Sequence, residues 1–500
     1  MKINALFVLL LMLMAPIELL AAEDPELDMK SQQRAPTAFA DDKPRPLLHW
    51  GVGEGKSYLV PIGDILMFDA ALNLFNRQFS GTSDYDSDFS SFRRNLNGSW
   101  VYDNDSFSIN QFGHPYQGSM YHGFARSAGL GYWEASAYTL LGSAMWELAG
   151  ETTKPSINDQ ITTGFGGSFL GEPLFRLASL LLESGDGGAP GFWRELGAAA
   201  ISPSTGLNRL VYGKRFDGVF RSNDPAVYTR MAVGMNFNSS VHSNVNTNQA
   251  ADETPTPQSY DTGEAIADFT VGYGLPGKPG YTYTRPFDYF HFQFTAASSN
   301  VFENVMTRGL LFGTDYAVGD YYRGIWGLYG SYDYIAPQIF RISTAAASLG
   351  TTGQWWLSDT VALQGSALGG LGYGSAGTIR QVGLRDYHHG VTPQGLLAMR
   401  LIFRNRVSLD MTARQYYVTS SQSDESGGEE NIFRADVALT VRVYNLHGIA
   451  LKYVASRRDA RYDGLPDTHQ SVGAISIGYA YLGQTRSGTV DWRTKAEGGP

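Results

Sequence analysis

Residues 434–443 read RADVALTVRV, and their order decides the fold. Ala435, Val437, Leu439, Val441 and Val443 fall on one side of an extended chain, and Arg434, Asp436, Ala438, Thr440 and Arg442 on the other. One side suits lipid and the other suits water, which is the pattern of a strand in a transmembrane barrel. The same split separates Val407, Leu409, Met411 and Ala413 from Ser408, Asp410, Thr412 and Arg414. It recurs with Phe290, Phe292 and Phe294 against Tyr289, His291 and Gln293, and with Met231, Val233, Met235 and Phe237 against Arg230, Ala232 and Asn236. A soluble sandwich also alternates. The segment lengths, together with the aromatics Tyr416, Tyr417, Tyr444, Tyr479 and Tyr481 at segment ends, favour the barrel.

Working outward, such segments run from Tyr228 to Leu482 and number roughly twelve, an even count suited to closure. The expected fold is therefore an all-β transmembrane barrel of roughly twelve antiparallel strands, with an N-terminal helical region packed in or under the lumen. The polar stretches Asn244–Asp261 and Ser421–Glu430 read as extracellular loops.

The rest of the chain divides by composition. Residues 1–22 carry Lys2, an apolar run from Ala5 to Leu20, and Ala21–Ala22, the pattern of a signal peptide, whereas a retained anchor would be longer. Residues 23–56 are polar and Pro-containing, as in a flexible periplasmic linker. Residues 57–205 hold three helix-like stretches, Ile62–Phe79, Gly118–Glu151 and Ser156–Glu183, and read as a plug-like region. The barrel region is set at 206–484 and a polar C-terminal tail at 485–500. Arg126, Glu134 and Glu147 argue against Gly118–Glu151 crossing a membrane.

The chain has no cysteine, which excludes disulfides, thiol chemistry and cysteine-bound metals. Its net charge of -10, with no Lys/Arg cluster, argues against a nucleic-acid partner. GEGKS at Gly53–Ser57 resembles a phosphate loop, but Trp50 stands where the first glycine is required, so no nucleotide site is expected. Adjacent His388 and His389, in an expected loop beside Arg385 and Asp386, would point apart and share no metal. The glycine-rich run Gly365–Gly377 reads as a strand bend or a close packing site.

Polar groups concentrate between Asn110 and Glu172. If Tyr121–Glu147 formed one helix, then His122, Arg126, Glu134 and Glu147 would share an arc of roughly 140°. The catalytic reading takes His114 or His122 as a general base oriented by a carboxylate, Glu134, Glu147 or Glu172, acting on a lipid or lipopolysaccharide ester. The competing reading makes Asn110, Arg126, Glu147, Asn158, Asp159 and Glu172 a polar cluster whose charges pair with the inner barrel wall. No metal and no cofactor is expected on either reading.

This region resembles a bacterial family, domain-of-unknown-function family 3943. The resemblance rests on NQFGHPYQGSMYHGFARSAGLGYWEA (Asn110–Ala135), the following Trp146–Glu147, SINDQ (Ser156–Gln160) and Gly171–Glu172, within a span of about Ser57–Ala200. It implies an outer-membrane location and carries no established activity. The function expected first is a plugged barrel with a structural or transport-related role. A lipid- or lipopolysaccharide-modifying hydrolase and a surface adhesion module are the alternatives. Outer-membrane lipids, lipopolysaccharide and the barrel assembly machinery are the expected partners, without nucleic acid or nucleotide.

Overall fold

A computed structural model of the protein describes residues 55–103, 105–184, 190–213, 220–244, 263–337, 339–378, 387–420, 428–462 and 467–493. The expected signal peptide, most of the linker and most of the two long loops lie outside them. The chain forms two compact units that divide between Ser222 and Asn223.

The second unit is a closed barrel of twelve strands in sequential order, with β1 returning to β12. The strands are β1 (Val227–Ser243), β2 (Gly263–Tyr273), β3 (Phe290–Ala297), β4 (Asn304–Val318), β5 (Tyr322–Ile335) and β6 (Phe340–Ser358). They continue with β7 (Val361–Thr378), β8 (Tyr387–Phe403), β9 (Val407–Thr419), β10 (Gly428–Tyr444), β11 (His447–Tyr462) and β12 (Thr468–Leu482). Every neighbouring pair is antiparallel, and the closing ladder runs from Arg230↔Leu482 to Ser243↔Gln470. Closure leaves no edge whose N–H and C=O groups go unpaired.

The alternation in β10 has the expected sides. Val437, Leu439, Val441 and Val443 are exposed on the outside, whereas Arg434, Ala438 and Thr440 are buried. His388 and His389 lie in strand β8, not in a loop. They do point apart: His388 stacks on Tyr462 and His389 bonds Ser375. Gly365–Gly377 falls wholly within β7, where a Cβ on Gly370 would meet the Ala347 carbonyl oxygen of β6 at 2.1 Å.

The tail after β12 is not a free polar end. Residues 484–493 lie against the end of the barrel that carries the short turns. The Thr229 N–H donates to Gln484, Gln364 donates to the Gly488 carbonyl (2.6 Å), and Gln354 and Trp356 both donate to the Val490 carbonyl (2.6 and 3.1 Å). Trp492 donates to the Asp320 carbonyl (2.8 Å), and Arg493 reaches Asp359 at 3.2 Å and covers the Trp356 ring.

The other unit is helical: α1 (Leu59–Phe79), α2 (Phe89–Asn97), α3 (His114–Ser127), α4 (Tyr132–Met145), α5 (Ile157–Ile161), α6 (Gly167–Glu183), α7 (Phe192–Ile201) and α8 (Pro203–Tyr212). Helix α8 runs across position 206, the expected start of the barrel region, and the first strand opens at Val227. By length and composition α1 could cross a membrane. It is nevertheless tied into the helical unit through buried Asp64, which accepts from Tyr212 at 2.9 Å, and buried Asp69, which accepts from Tyr121.

The expected helix through Tyr121–Glu147 is two helices. Ala128–Gly131 separates α3 from α4, and Gly129 takes φ +87°, a left-handed conformation that ends α3. The shared arc of His122, Arg126, Glu134 and Glu147 therefore does not exist.

Leu439→Arg places a charge on the outward face. It is expected to cost about 2–4 kcal/mol near a bilayer midplane, measured by reversible urea titration of the barrel in lipid vesicles, while Leu439→Ala costs much less.

Candidate functional site

Helices α3 and α6 cross closely because small residues meet at the crossing. A Cβ on Gly118 would lie 2.0 Å from the Thr163 carbonyl oxygen, and one on Gly167 would lie 2.6 Å from Gly118 Cα. This approach brings the polar face of α3 against that of α6.

At this contact His122 and Arg126, one turn apart on α3, meet Glu172 and Arg176, one turn apart on α6. Glu172 is fully buried. Its Oε2 accepts from Arg126 Nε (2.7 Å) and faces His122 Nε2 (3.0 Å), while Oε1 accepts from Arg126 Nη2 (3.0 Å) and Arg176 Nε (2.8 Å). Phe220 and Phe175 cover the Arg126 guanidinium, and Phe220 also covers that of Arg176. Burial would raise the Glu172 carboxyl, but Arg126, His122 and Arg176 outweigh it and hold it well below the usual carboxylate range. Burial lowers the His122 ring against the pull of Glu172.

A second centre forms where three π-helical turns interrupt the helices: Ile109–Gly113 before α3, Trp146–Gly150 after α4, and Thr162–Gly166 between α5 and α6. Each such turn inserts an extra residue and redirects the side chains beyond it, a device frequent at functional sites. His114 opens α3, Glu147 lies in the second π turn, and Asp159 lies in α5. Their candidate ligand atoms all lie within 4.8 Å of one another, and all three residues are buried.

His114 Nε2 stands 3.8 Å from Asp159 Oδ2, and its Nδ1 has no hydrogen-bond partner. Glu147 Oε2 accepts from the Ser156 N–H (2.7 Å). Asn158 donates to Asp159 Oδ1 (3.0 Å) and to Asp103 Oδ1 (3.1 Å), and Asn110 donates to Asp103 as well. Burial pushes His114 down to about 4 against Asp103. Burial, then Glu151, raises Glu147 well above its ordinary value, and burial, then Asp103 and Glu147, does the same to Asp159.

The sequence-derived residues thus separate into three places. His122, Arg126 and Glu172 form the first centre, and His114, Glu147, Asp159, Asn158 and Asn110 gather at or beside the second. Glu134 joins neither. It starts α4, where it accepts from the Gly131 N–H (2.7 Å), from Tyr58 (2.8 Å) and from Lys56 at 2.9 and 3.0 Å. Glu134 as the carboxylate partner of a histidine is therefore corrected, because the break after α3 turns it away. Glu172 of the expected polar cluster is answered within the helical unit, by Arg126 and Arg176. Arg176 and Asp103 escaped the sequence reading; the four-residue spacing of Glu172 and Arg176 was the available signal for the first.

Residues 99–204 match the sequence profile of a family described as Domain of unknown function (DUF3943). That span includes both centres, so the resemblance is met over the segment that carries them. No curated protein matches the chain. Among solved structures the chain is similar to the NanC porin, at 8% identity and a TM-score of 0.24, covering 50% of this chain and 98% of that one. It is also similar to the outer membrane channel DcaP of Acinetobacter baumannii, at 7% identity and a TM-score of 0.24, covering 51% and 96%. A third is the translocator domain of the autotransporter NalP from Neisseria meningitidis, at 12% identity and a TM-score of 0.21, covering 51% and 86%.

Glu172→Gln strands two buried arginines and is expected to destabilise the helical unit by about 3–5 kcal/mol, read from the denaturant dependence of the helical circular dichroism. Asp69 supplies a pH test. Burial raises its carboxyl to about 7, above the ordinary value near 4, so the folded state holds the proton longer than the unfolded one. Its contribution to stability falls as pH rises from about 4 to about 7 and is flat above. Asp69→Asn is expected to make the fall in denaturation midpoint between about pH 4 and about pH 7 shallower.

Proposed function

We propose that this chain is an integral outer-membrane protein of a Gram-negative bacterium whose barrel is a sealed anchor for its helical unit. The apolar outward face with paired charges inside supports the membrane location, as does the expected export signal at residues 1–22. Outer-membrane lipid is the natural neighbour of that face.

The observation that carries the sealed reading is a set of side-chain bonds crossing the lumen between strands that are not neighbours. Arg230 of β1 reaches Asp410 of β9 at 3.3 Å, Tyr416 of β9 donates to Asp333 of β5 at 2.8 Å, and Lys452 of β11 reaches Asp268 of β2 at 3.2 Å. A lumen cavity bounded by Arg308, Asp333, Gln394, Arg414 and Tyr416 measures about 30 Å³, room for a few waters. Residues 484–493 then cover the short-turn end. Side chains and this segment fill the plug role within the barrel unit itself.

A diffusion pore would need a continuous polar path, and a hydrolase would need an accessible base. His114 is only 5% exposed and His122 is fully buried, and neither bonds a hydroxyl among the described residues. The sealed anchor fits these facts better than either alternative.

The purified chain in planar bilayers is expected to give flat current traces. Deleting residues 487–500 together with Tyr416→Ala and Arg230→Ala should produce measurable ion leakage. Steady large conductance from the unaltered chain would rule the sealed barrel out.

A further inference from the structure

We propose that His114, Glu147 and Asp159 bind a divalent transition-metal ion, of the zinc or manganese class, in the helical unit, with Asp103 beside them and held by Asn110 and Asn158. This does not depend on whether the barrel is sealed.

Three observations carry the assignment. The first is spacing: the three candidate ligand atoms already lie within 4.8 Å of one another, and one pair, His114 Nε2 and Asp159 Oδ2, stands at 3.8 Å. Around a tetrahedral ion with bonds of about 2.0–2.1 Å, ligand atoms are roughly 3.3 Å apart. Side-chain shifts on the order of 1 Å therefore close the site, without any change in the backbone.

The second is the histidine. His114 is 5% exposed, its Nδ1 has no partner, and its Nε2 stands beyond hydrogen-bond reach of the carboxylate it faces. A buried ring with neither nitrogen satisfied is costly. A metal bond to Nε2 removes the cost at that nitrogen, and the nitrogen donor is what separates this set from a calcium or magnesium cage of oxygens.

The third is charge. Glu147 and Asp159 are 3% and 2% exposed, and among the described residues neither pairs with a Lys or Arg. The contrast with Glu172, which has two arginines in the same unit, is direct. A divalent cation supplies the balancing charge in one step. Its surroundings are already those of a bound ion: the Ser156 N–H orients Glu147, and Asn158 holds Asp159 and Asp103 together.

The ion would join three segments, the π turn Trp146–Gly150, helix α5 and the start of α3. Its burial makes it a structural lock rather than a site open to substrate.

The test uses the full-length protein in detergent, stripped with a chelator and dialysed. Zinc titration followed by calorimetry is expected to show one saturable site per chain, and zinc should raise the melting midpoint of the helical dichroism. The isosteric Asp159→Asn and Glu147→Gln, and His114→Gln, are expected to weaken binding beyond the ~10- to 100-fold that loss of an outer-shell group causes. Glu134→Gln, remote from the site, should bind as the unaltered chain does. Cobalt in place of zinc gives a reading that needs no variant: visible absorption of a nitrogen–oxygen site that zinc displaces. Absence of saturable zinc, manganese or cobalt binding by the unaltered chain would overturn the proposal. So would equal binding by the three ligand variants, or saturation by calcium or magnesium alone.

Discussion

Everything in the barrel unit follows from the ladder between β1 and β12. Twelve strands with an apolar exterior cannot end in free edges, because each unpaired N–H or C=O facing hydrocarbon costs several kcal/mol, on the order of the stability of a small domain. Thirteen register pairs from Arg230↔Leu482 to Ser243↔Gln470 remove those edges. Once the cylinder is closed, the inward residues of every strand share one narrow space. Arg230, Asp268, Asp410 and Lys452 then have no choice but to neutralise one another. These cross-lumen pairs are a consequence of closure at this strand number.

The helical unit meets the same demand by other means. The close crossing of α3 and α6 buries a carboxylate, and the two helices supply the guanidinium groups that balance it at four-residue spacing. A few residues away the π turns bury two more carboxylates and a histidine without any such counterpart among the described residues. Two neighbouring centres of one unit thus stand at opposite ends of electrostatic satisfaction. That difference points to function more sharply than burial alone, which both share.

Much of this was legible in the sequence, for reasons that lie in the geometry of extended chain. Alternation in RADVALTVRV is a local property, and strands report it residue by residue, so strand number and facing came through. Membership of His122, Arg126 and Glu172 in a polar region was equally plain. What could not be read was long-range. Gly129 looks like any helix-tolerated glycine until its φ of +87° separates α3 from α4 and sends Glu134 toward Lys56 and Tyr58. Between His114 and Asp159 lies the π turn Trp146–Gly150, which shifts the helical phase that a wheel assumes. His388 and His389 looked like loop residues because charged neighbours flank them, yet register with β7 keeps them in the sheet.

The segment beyond β12 also orders events in time. Its bond from Gln354 to Val490 joins residues 136 positions apart, and that from Gln364 to Gly488 joins residues 124 apart. Such contacts repay their loop-closure entropy only after the intervening strands are in register. Residues 484–493 therefore settle against β6 and β7 only after those strands have paired. The segment thereby reports on register: a slipped strand would carry Gln354 or Gln364 away from the carbonyls they meet.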